Sequence, residues 1–408
     1  MNKKSIDEKV RETIQFAYAN APAVKTRFEK AGLKPEDIQG VTDLAKIPVQ
    51  TKDEMVALQQ TDPPFGGALA VPLSEVSHIF FSPGPLFEPG PTADDPVWEM
   101  AQAALERGGF DAGDIILNSL SYHLVPAGYL FDVAFTRLGA TVIPGGVGNS
   151  DLQLQMMRDL GATGYVGTPS FLMSLIQKAE EKGQNFQQDY KLRKAITTAE
   201  PLPPSLRQTL VDTYGLQVTN AYGTAEFGIL ATNSGQGMAM QLLPEPVVQV
   251  VNPDTGQSVG PGETGEVVVT NFSQVYPLIR FGTGDMGMNI DPRPGESDQE
   301  ERSVILVGRR GEAVKVRGMF LHPNQLRFAA GQVPGVVVLQ AVVSRPELRD
   351  SFVLRVVAEE GTDEVKAAEQ LKQAVIGLCR VRVDGVEFVS AQTISADDPT
   401  VLDERTWE

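Results

Sequence analysis

The stretch GDIILNSLSYHLVPAGYLFDVAFTRLGATVIPGG, residues 113–146, carries two apolar runs of strand length, at 115–117 and 141–143, on either side of a helix-length segment. The same alternation continues downstream. Strand-like runs recur at 163–166, 195–198 and 216–219, with helix-length stretches at 152–160, 170–181 and 205–214. A strand roughly every 20 to 30 residues with a helix between is the signature of βαβ units and predicts a parallel sheet. In such a sheet a ligand belongs at the carboxyl ends of the strands.

Outward from this region the pattern changes on both sides. Upstream, Val10, Ile14, Ala17 and Tyr18 stand at helical spacing, and Thr51-Lys-Asp-Glu54 has the form of a capping box opening a second helix. Downstream, residues 238–307 read as a β-ribbon, with Asn-Pro-Asp-Thr-Gly at 252–256 as turn chemistry and a polar loop at 291–302. The last hundred residues read helix (323–332), strand (336–343), strand (352–358), helix (362–378) and strand (386–389). The expected fold class is α/β. A large N-terminal domain, 1–307, has mostly parallel sheets flanked by helices plus the ribbon, and a small mobile α+β domain, 308–408, hinges at 310–312.

The chain has 408 residues, 52 acidic and 35 basic, for a formal net charge of −17. That excess argues against nucleic acid or an anionic membrane as partner, because both reward clustered cations. A nucleotide ligand needs only a few local cations and backbone N–H groups, so it stays open. One cysteine, Cys379, excludes a disulfide framework within the chain, and three histidines cannot build a zinc cluster without carboxylates. The first residues, MNKKSIDEKVRETIQ, lack the apolar core of a signal peptide, and no apolar run has the length of a membrane helix. The expected location is the cytoplasm.

Several segments, in order, resemble phenylacetate–coenzyme A ligases of the adenylate-forming, AMP-binding superfamily. TRFEKAGLKPEDIQGVTDLAKIPVQTKDEM (26–55) is similar to their N-terminal segment, and LGATVIPGG (138–146) and GTPSFLMSL (167–175) to their central strand–helix units. TAEPLPPSLR (198–207) resembles the turn lying against adenine, and NAYGTAEFG (220–228) the Tyr-Gly-x-x-Glu motif. PLIRFGTGD (277–285) and GRRGEAVKVRGMFLHPNQL (308–326) resemble the ribose-binding and hinge motifs.

The resemblance implies activation of a small carboxylic acid, aryl or aryl-acetic, by ATP through an acyl adenylate, followed by capture on coenzyme A. It implies that Ser82, Gly84, Thr198, Glu200, Pro201, Tyr222, Gly223, Thr224, Asp285 and Arg309 hold ATP or AMP. Tyr122 and His123 would lie by the acid, Glu226 would hold Mg²⁺, and Glu226, Arg309 and Lys315 would serve catalysis. Such chemistry needs cations, because a carboxylate attacking a phosphate is repelled unless the charge is neutralised. Plainer readings stand beside these: Asp285 as a turn residue, Glu226 as a helix-start carboxylate, Tyr122 and His123 as core and incidental residues, and the basic residues 309–317 as a solvated face.

Three departures bear on mechanism. The family's phosphate loop is rich in Gly and hydroxyls and carries a Lys. Here it reads Ser82-Pro-Gly-Pro-Leu-Phe-Glu-Pro-Gly90, with three prolines that lack N–H donors and Glu88 where the Lys belongs. VLDER (401–405) matches the family's tail, but ISADDPT (394–400) before it has no basic residue. Gly311 stands for the hinge Asp. Two functions are compatible with this pattern: a divergent AMP-forming acid–coenzyme A ligase, or a non-catalytic binding protein for AMP, an acyl adenylate or an acyl-coenzyme A.

Overall fold

The computed structural model describes residues 4–406 apart from 83, 236, 311–313, 318, 322, 347–348, 380 and 396–397. The chain falls into two compact units, Met1–Gly308 and Arg309–Glu408.

The first unit contains a hairpin of β1 (Ile79–Phe81) and β2 (Phe87–Pro89). Its main sheet has eleven strands: β3 (Ile115–Asn118), β4 (Thr141–Pro144), β5 (Gly164–Gly167), β6 (Lys194–Thr197), β7 (Gln217–Thr224), β8 (Gly228–Asn233), β9 (Met240–Leu242), β10 (Val247–Val251), β11 (Thr264–Thr270), β12 (Phe281–Ile290) and β13 (Ser303–Arg309). Their order across the sheet is β10-β11-β12-β13-β9-β8-β7-β6-β5-β3-β4. The half from β4 to β7 is parallel and corresponds to the βαβ stretch of the sequence. From β7 to β9 the neighbours are antiparallel, and so are β10, β11 and β12. The ribbon at 238–307 is therefore no separate layer but the other half of the same sheet.

Side-chain alternation decides which helices cover which face. In β3, β5 and β6, Leu117, Tyr165 and Ala195 pack with Leu154, Met157, Leu172 and Ile176, on the helices Ser150–Asp159 and Pro169–Glu181. Their neighbours Ile116, Val166 and Ile196 point to the opposite face, against Ala104, Leu105, Phe131 and Phe135 on the helices Val97–Arg107 and Ala127–Leu138. A strand buried on both faces needs continuous apolar sequence, which is why these runs stand out. Each fully buried Leu, Ile, Val, Met or Phe among them contributes about 1.5–3 kcal/mol.

The N-terminal helices Ile6–Asn20 and Pro22–Lys30 pack Val10, Ile14 and Phe28 against Val247 and Ile279. Two arginines, Arg280 buried and Arg27 half-buried, fasten this layer through backbone carbonyls. Arg280 donates to the carbonyls of Ala45, Ile47 and Gly256, and Arg27 to those of Pro48 and Ile279. Arg280, inside the motif at 277–285, is thus an architectural residue.

The second unit has a hairpin of β14 (Val314–Val316) and β15 (Met319–Leu321). Beside it lies a four-stranded sheet of β16 (Val336–Ser344), β17 (Ser351–Ala358), β18 (Gly385–Phe388) and β19 (Val401–Asp403), in the order β18-β17-β16-β19. Leu339, Ala341, Phe352 and Leu354 pack with Leu326, Leu371 and Val375 from the helices Pro323–Gly331 and Glu364–Cys379. Arg317 commits its guanidinium to the Asp350 and Arg382 carbonyls and to Asp384, while Arg405 and Arg345 both pair with Asp350.

Candidate functional site

The carboxyl ends of β6 and β7 lie where the parallel half of the sheet gives way to the antiparallel half. After β6 the chain turns through Thr198, whose N–H donates to the Gly167 carbonyl at 3.0 Å, and Ala199 in the left-handed region (φ 73°). An alanine held there stores about 1–2 kcal/mol of strain. The turn sets the Glu200 carboxylate against the first turn of the helix Pro169–Glu181, where it accepts from the Ser170 N–H at 2.8 Å. Pro201 follows, exposed.

At the end of β7, Tyr222 is buried and its hydroxyl donates to Asp285 Oδ2 at 2.9 Å. Asp285, on β12, is buried too, and its own N–H donates to Thr283 Oγ1 at 3.1 Å. Tyr222, Asp285 and the Glu200 turn come from separate motifs of the sequence. The first two meet directly.

The β7–β8 turn is pinched. A Cβ on Gly223 would stand 2.3 Å from the Gly228 carbonyl oxygen, and Gly228 itself has φ 68°. Two glycines thus let Thr224, Ala225, Glu226 and Phe227 fold tightly, and Glu226 turns inward with its side chain 2% exposed.

Glu226 meets a residue not anticipated from the sequence. Lys52 opens the helix Lys52–Thr61, whose capping box is formed as expected: Thr51 Oγ1 accepts from the Glu54 N–H, and the Glu54 carboxylate from the Thr51 N–H. A cation in a helix's first turn opposes the helix dipole. Here it is offset by an ion pair, with Lys52 Nζ 2.7 Å from Glu226 Oε1. Lys52 also neighbours Gly84, since a Cβ there would lie 3.7 Å from Lys52 Cδ and 4.0 Å from both Nζ and Ser82 Oγ.

The phosphate-loop segment is a hairpin. The Ser82 N–H donates to the Leu86 carbonyl at 2.9 Å, and β1 pairs with β2 so that Phe80 faces Glu88. Gln59 pins the hairpin to the helix carrying Lys52, accepting from the Phe87 N–H and donating to the Phe87 carbonyl, both at 2.8 Å, and to the Tyr276 hydroxyl at 3.1 Å. Glu88 is therefore no exposed loop carboxylate but a buried strand residue, 4% exposed.

Burial pushes the Glu88 carboxyl up to about 8, and the neighbouring Glu226 adds to the rise, while Ser82 and Lys52 temper it. For Glu226 burial also acts upward, but Lys52, Thr224 and its own backbone N–H outweigh it and hold it below the ordinary carboxylate range. Glu88 and Glu226 line one cavity of about 80 Å³, together with Phe227 and Tyr276. Among the described residues, both oxygens of Glu88, Oε2 of Glu226 and the hydroxyls of Ser82 and Thr224 are buried without a well-aligned hydrogen bond. Such a set of hard oxygen donors fits Mg²⁺.

The other expected residues are placed as follows. The Tyr122 hydroxyl donates to Asp132 and accepts from Asn118 Nδ2, both at 2.8 Å; burial and then Asp132 raise its pKa. His123 is exposed. Arg309 ends β13 and Lys315 lies on β14, in the second unit, with the Lys315 side chain outside the described residues, as are Gly311 and Glu312 of the expected hinge. Asp398 accepts from the backbone and side chain of Ser395, and Asp397 is outside the described residues.

Comparison with known proteins adds four observations. Residues 92–275 match the family model of the AMP-binding enzymes. The chain is similar to the phenylacetate-coenzyme A ligase of Pseudomonas putida, 29% identical over 335 residues that cover 78% of this chain and 73% of the relative. It is also similar to that of Thermus thermophilus, 26% identical over 371 residues covering 87% and 81%. Its fold is like that of a 2-hydroxyisobutyryl-CoA ligase solved with 2-HIB-AMP and CoA. The TM-score is 0.88 at 24% identity, over 98% of this chain and 89% of that one.

Proposed function

The chain belongs to the adenylate-forming, AMP-binding superfamily, among proteins like the phenylacetate–coenzyme A ligases, and on that premise we propose that it is an AMP-forming acid–coenzyme A ligase for an aryl or aryl-acetic acid. The observation that supports this reading is the Tyr222–Asp285 hydrogen bond beside the Glu200 turn. It joins two separate motifs at the carboxyl ends of the strands, where a nucleotide binds in this class of sheet.

In this reading Tyr222, Thr198, Glu200 and Pro201 line the adenine. The Asp285 carboxylate accepts from the ribose hydroxyls, a role for an acceptor-only group. Gly223 and Thr224 bring the pinched turn to the phosphates. Lys52, beside Ser82 and Gly84, supplies the positive charge that position 88 lacks. Tyr122 and His123 border the acid, and Arg309 and Lys315 serve catalysis. The acid's carboxylate oxygen bonds to the α-phosphorus as the bond to the pyrophosphate oxygen breaks, and the coenzyme A thiolate then displaces AMP from the carbonyl carbon. Mg²⁺ bound at Glu226 would neutralise charge on the polyphosphate.

The stiff hairpin and the acidic residues around 397–398 argue for slow adenylation. Loss of one well-placed cation costs about 10²–10³ in rate. Acid-dependent pyrophosphate release from ATP should run well below the roughly 1 s⁻¹ of an ordinary enzyme, with thioester formed on adding coenzyme A. Tight AMP binding with no acid-dependent pyrophosphate release across a panel of aryl acids would overturn the ligase reading in favour of a binding role.

A further inference from the structure

From the hairpin β1–β2 we infer that this chain has its own divalent-cation site, bridged by Glu88 and Glu226 and loaded without any nucleotide. The register of the hairpin, with Phe80 opposite Glu88, aims Glu88 inward toward Glu226. Both carboxylates line the same cavity of about 80 Å³, large enough for a cation and a few waters.

The donors there are incompletely satisfied: Ser82 lies by Glu88 and Thr224 by Glu226, but not in good alignment. Neither oxygen of Glu88 has a well-aligned hydrogen bond, nor have Glu226 Oε2, Ser82 Oγ and Thr224 Oγ1, although all are buried. The native structure leaves few buried polar atoms in that condition unless something else fills the gap. Among the described residues, Lys52 answers one of the two carboxylates, at Glu226 Oε1, and leaves Oε2 and Glu88 without an ion-pair partner at contact distance. The cavity is lined as well by Phe80, Phe227 and Tyr276, with Asp95 and Glu245 among its other residues.

The donor chemistry selects the cation. Carboxylate and hydroxyl oxygens suit hard ions such as Mg²⁺ or Mn²⁺ and not soft ones. Among the described residues no three His, Cys, Asp or Glu side chains gather as ligands. The ion would therefore keep several waters, as Mg²⁺ does when held by one or two carboxylates. Glu88 would then supply, from the chain itself, anionic oxygens of the kind a polyphosphate brings to such an ion.

The test is Mn²⁺ binding to the nucleotide-free full chain, followed by electron paramagnetic resonance, with Mg²⁺ as competitor. One Mn²⁺ per chain is expected, displaced by Mg²⁺ and weakened about tenfold or more in Glu88→Gln and Glu226→Gln. Lys52→Met, which removes the competing ammonium, should tighten it. AMP affinity of Glu88→Gln, measured alongside, reports on the nucleotide site separately and should stay near wild type. Absence of Mn²⁺ binding below millimolar concentration, or binding indifferent to Glu88→Gln, would overturn the inference.

Discussion

Replacing Lys52 with methionine keeps the length and apolar stem of the side chain and removes one charge. Its partner Glu226 is 2% exposed and Lys52 19% exposed, with 2.7 Å between Nζ and Oε1. At that distance and an effective dielectric constant of about 20, the Coulomb attraction is about 6 kcal/mol before desolvation is counted. Removing one partner of a buried pair strands the other charge and costs about 3–5 kcal/mol. Lys52 keeps some solvent contact, which places the expected loss near the lower end, about 3 kcal/mol. Urea unfolding at pH 7.5 measures it. Glu226→Gln in the Lys52→Met background should recover most of the loss, because the stranded charge goes with it. A loss under about 0.5 kcal/mol, the scale of an exposed pair, would refute the claim that this ion pair organises the site.

Glu88 gives stability a pH dependence. Its carboxyl sits near 8 in the folded chain and at the ordinary carboxylate value when unfolded, so the folded state holds a proton the unfolded state has released. The stabilising effect is complete below the unfolded value and is lost as pH rises through the folded one, at no more than about 1.4 kcal/mol per pH unit. Glu88→Gln should therefore gain on wild type between pH 5.5 and 8 in urea midpoints, and parallel curves would show that Glu88 titrates normally. Asp285→Ala should weaken AMP binding by about 1–3 kcal/mol, read by calorimetry, since it removes a charge-assisted contact; unchanged affinity would move the ribose elsewhere.

The parallel strands were legible because burial on both faces writes an uninterrupted apolar run, as at 115–117 and 163–166. The helices Pro169–Glu181 and Glu364–Cys379 were legible from period and length. Strand partners were not: the strands in 238–307 show their turns, but nothing local says that β8 pairs with β7 and continues the same sheet. The site divides in the same way. Tyr222 and Asp285 announced themselves by motif, and the structure joins them. Lys52 announced only a helix start, because its partner Glu226 lies on a distant turn and its charge runs against the helix dipole. Glu88 was visible as a departure, but its inward direction depends on a register that composition does not encode. The strand β19, at the tail, was missed because three residues are too short for alternation to show.

The hairpin's register has a consequence for chain length. Successive residues of a strand point to opposite sides, so a shift of one position exchanges every side chain between them. Phe87, Glu88 and Pro89 alternate outward, inward and outward behind the turn that Ser82 and Leu86 close. Deleting or adding one residue within 82–86 would rotate Glu88 to solvent and present an uncharged neighbour to Glu226 and Lys52. The number of residues in that turn, quite apart from which they are, thus acts as a selector of the charge offered to the cavity.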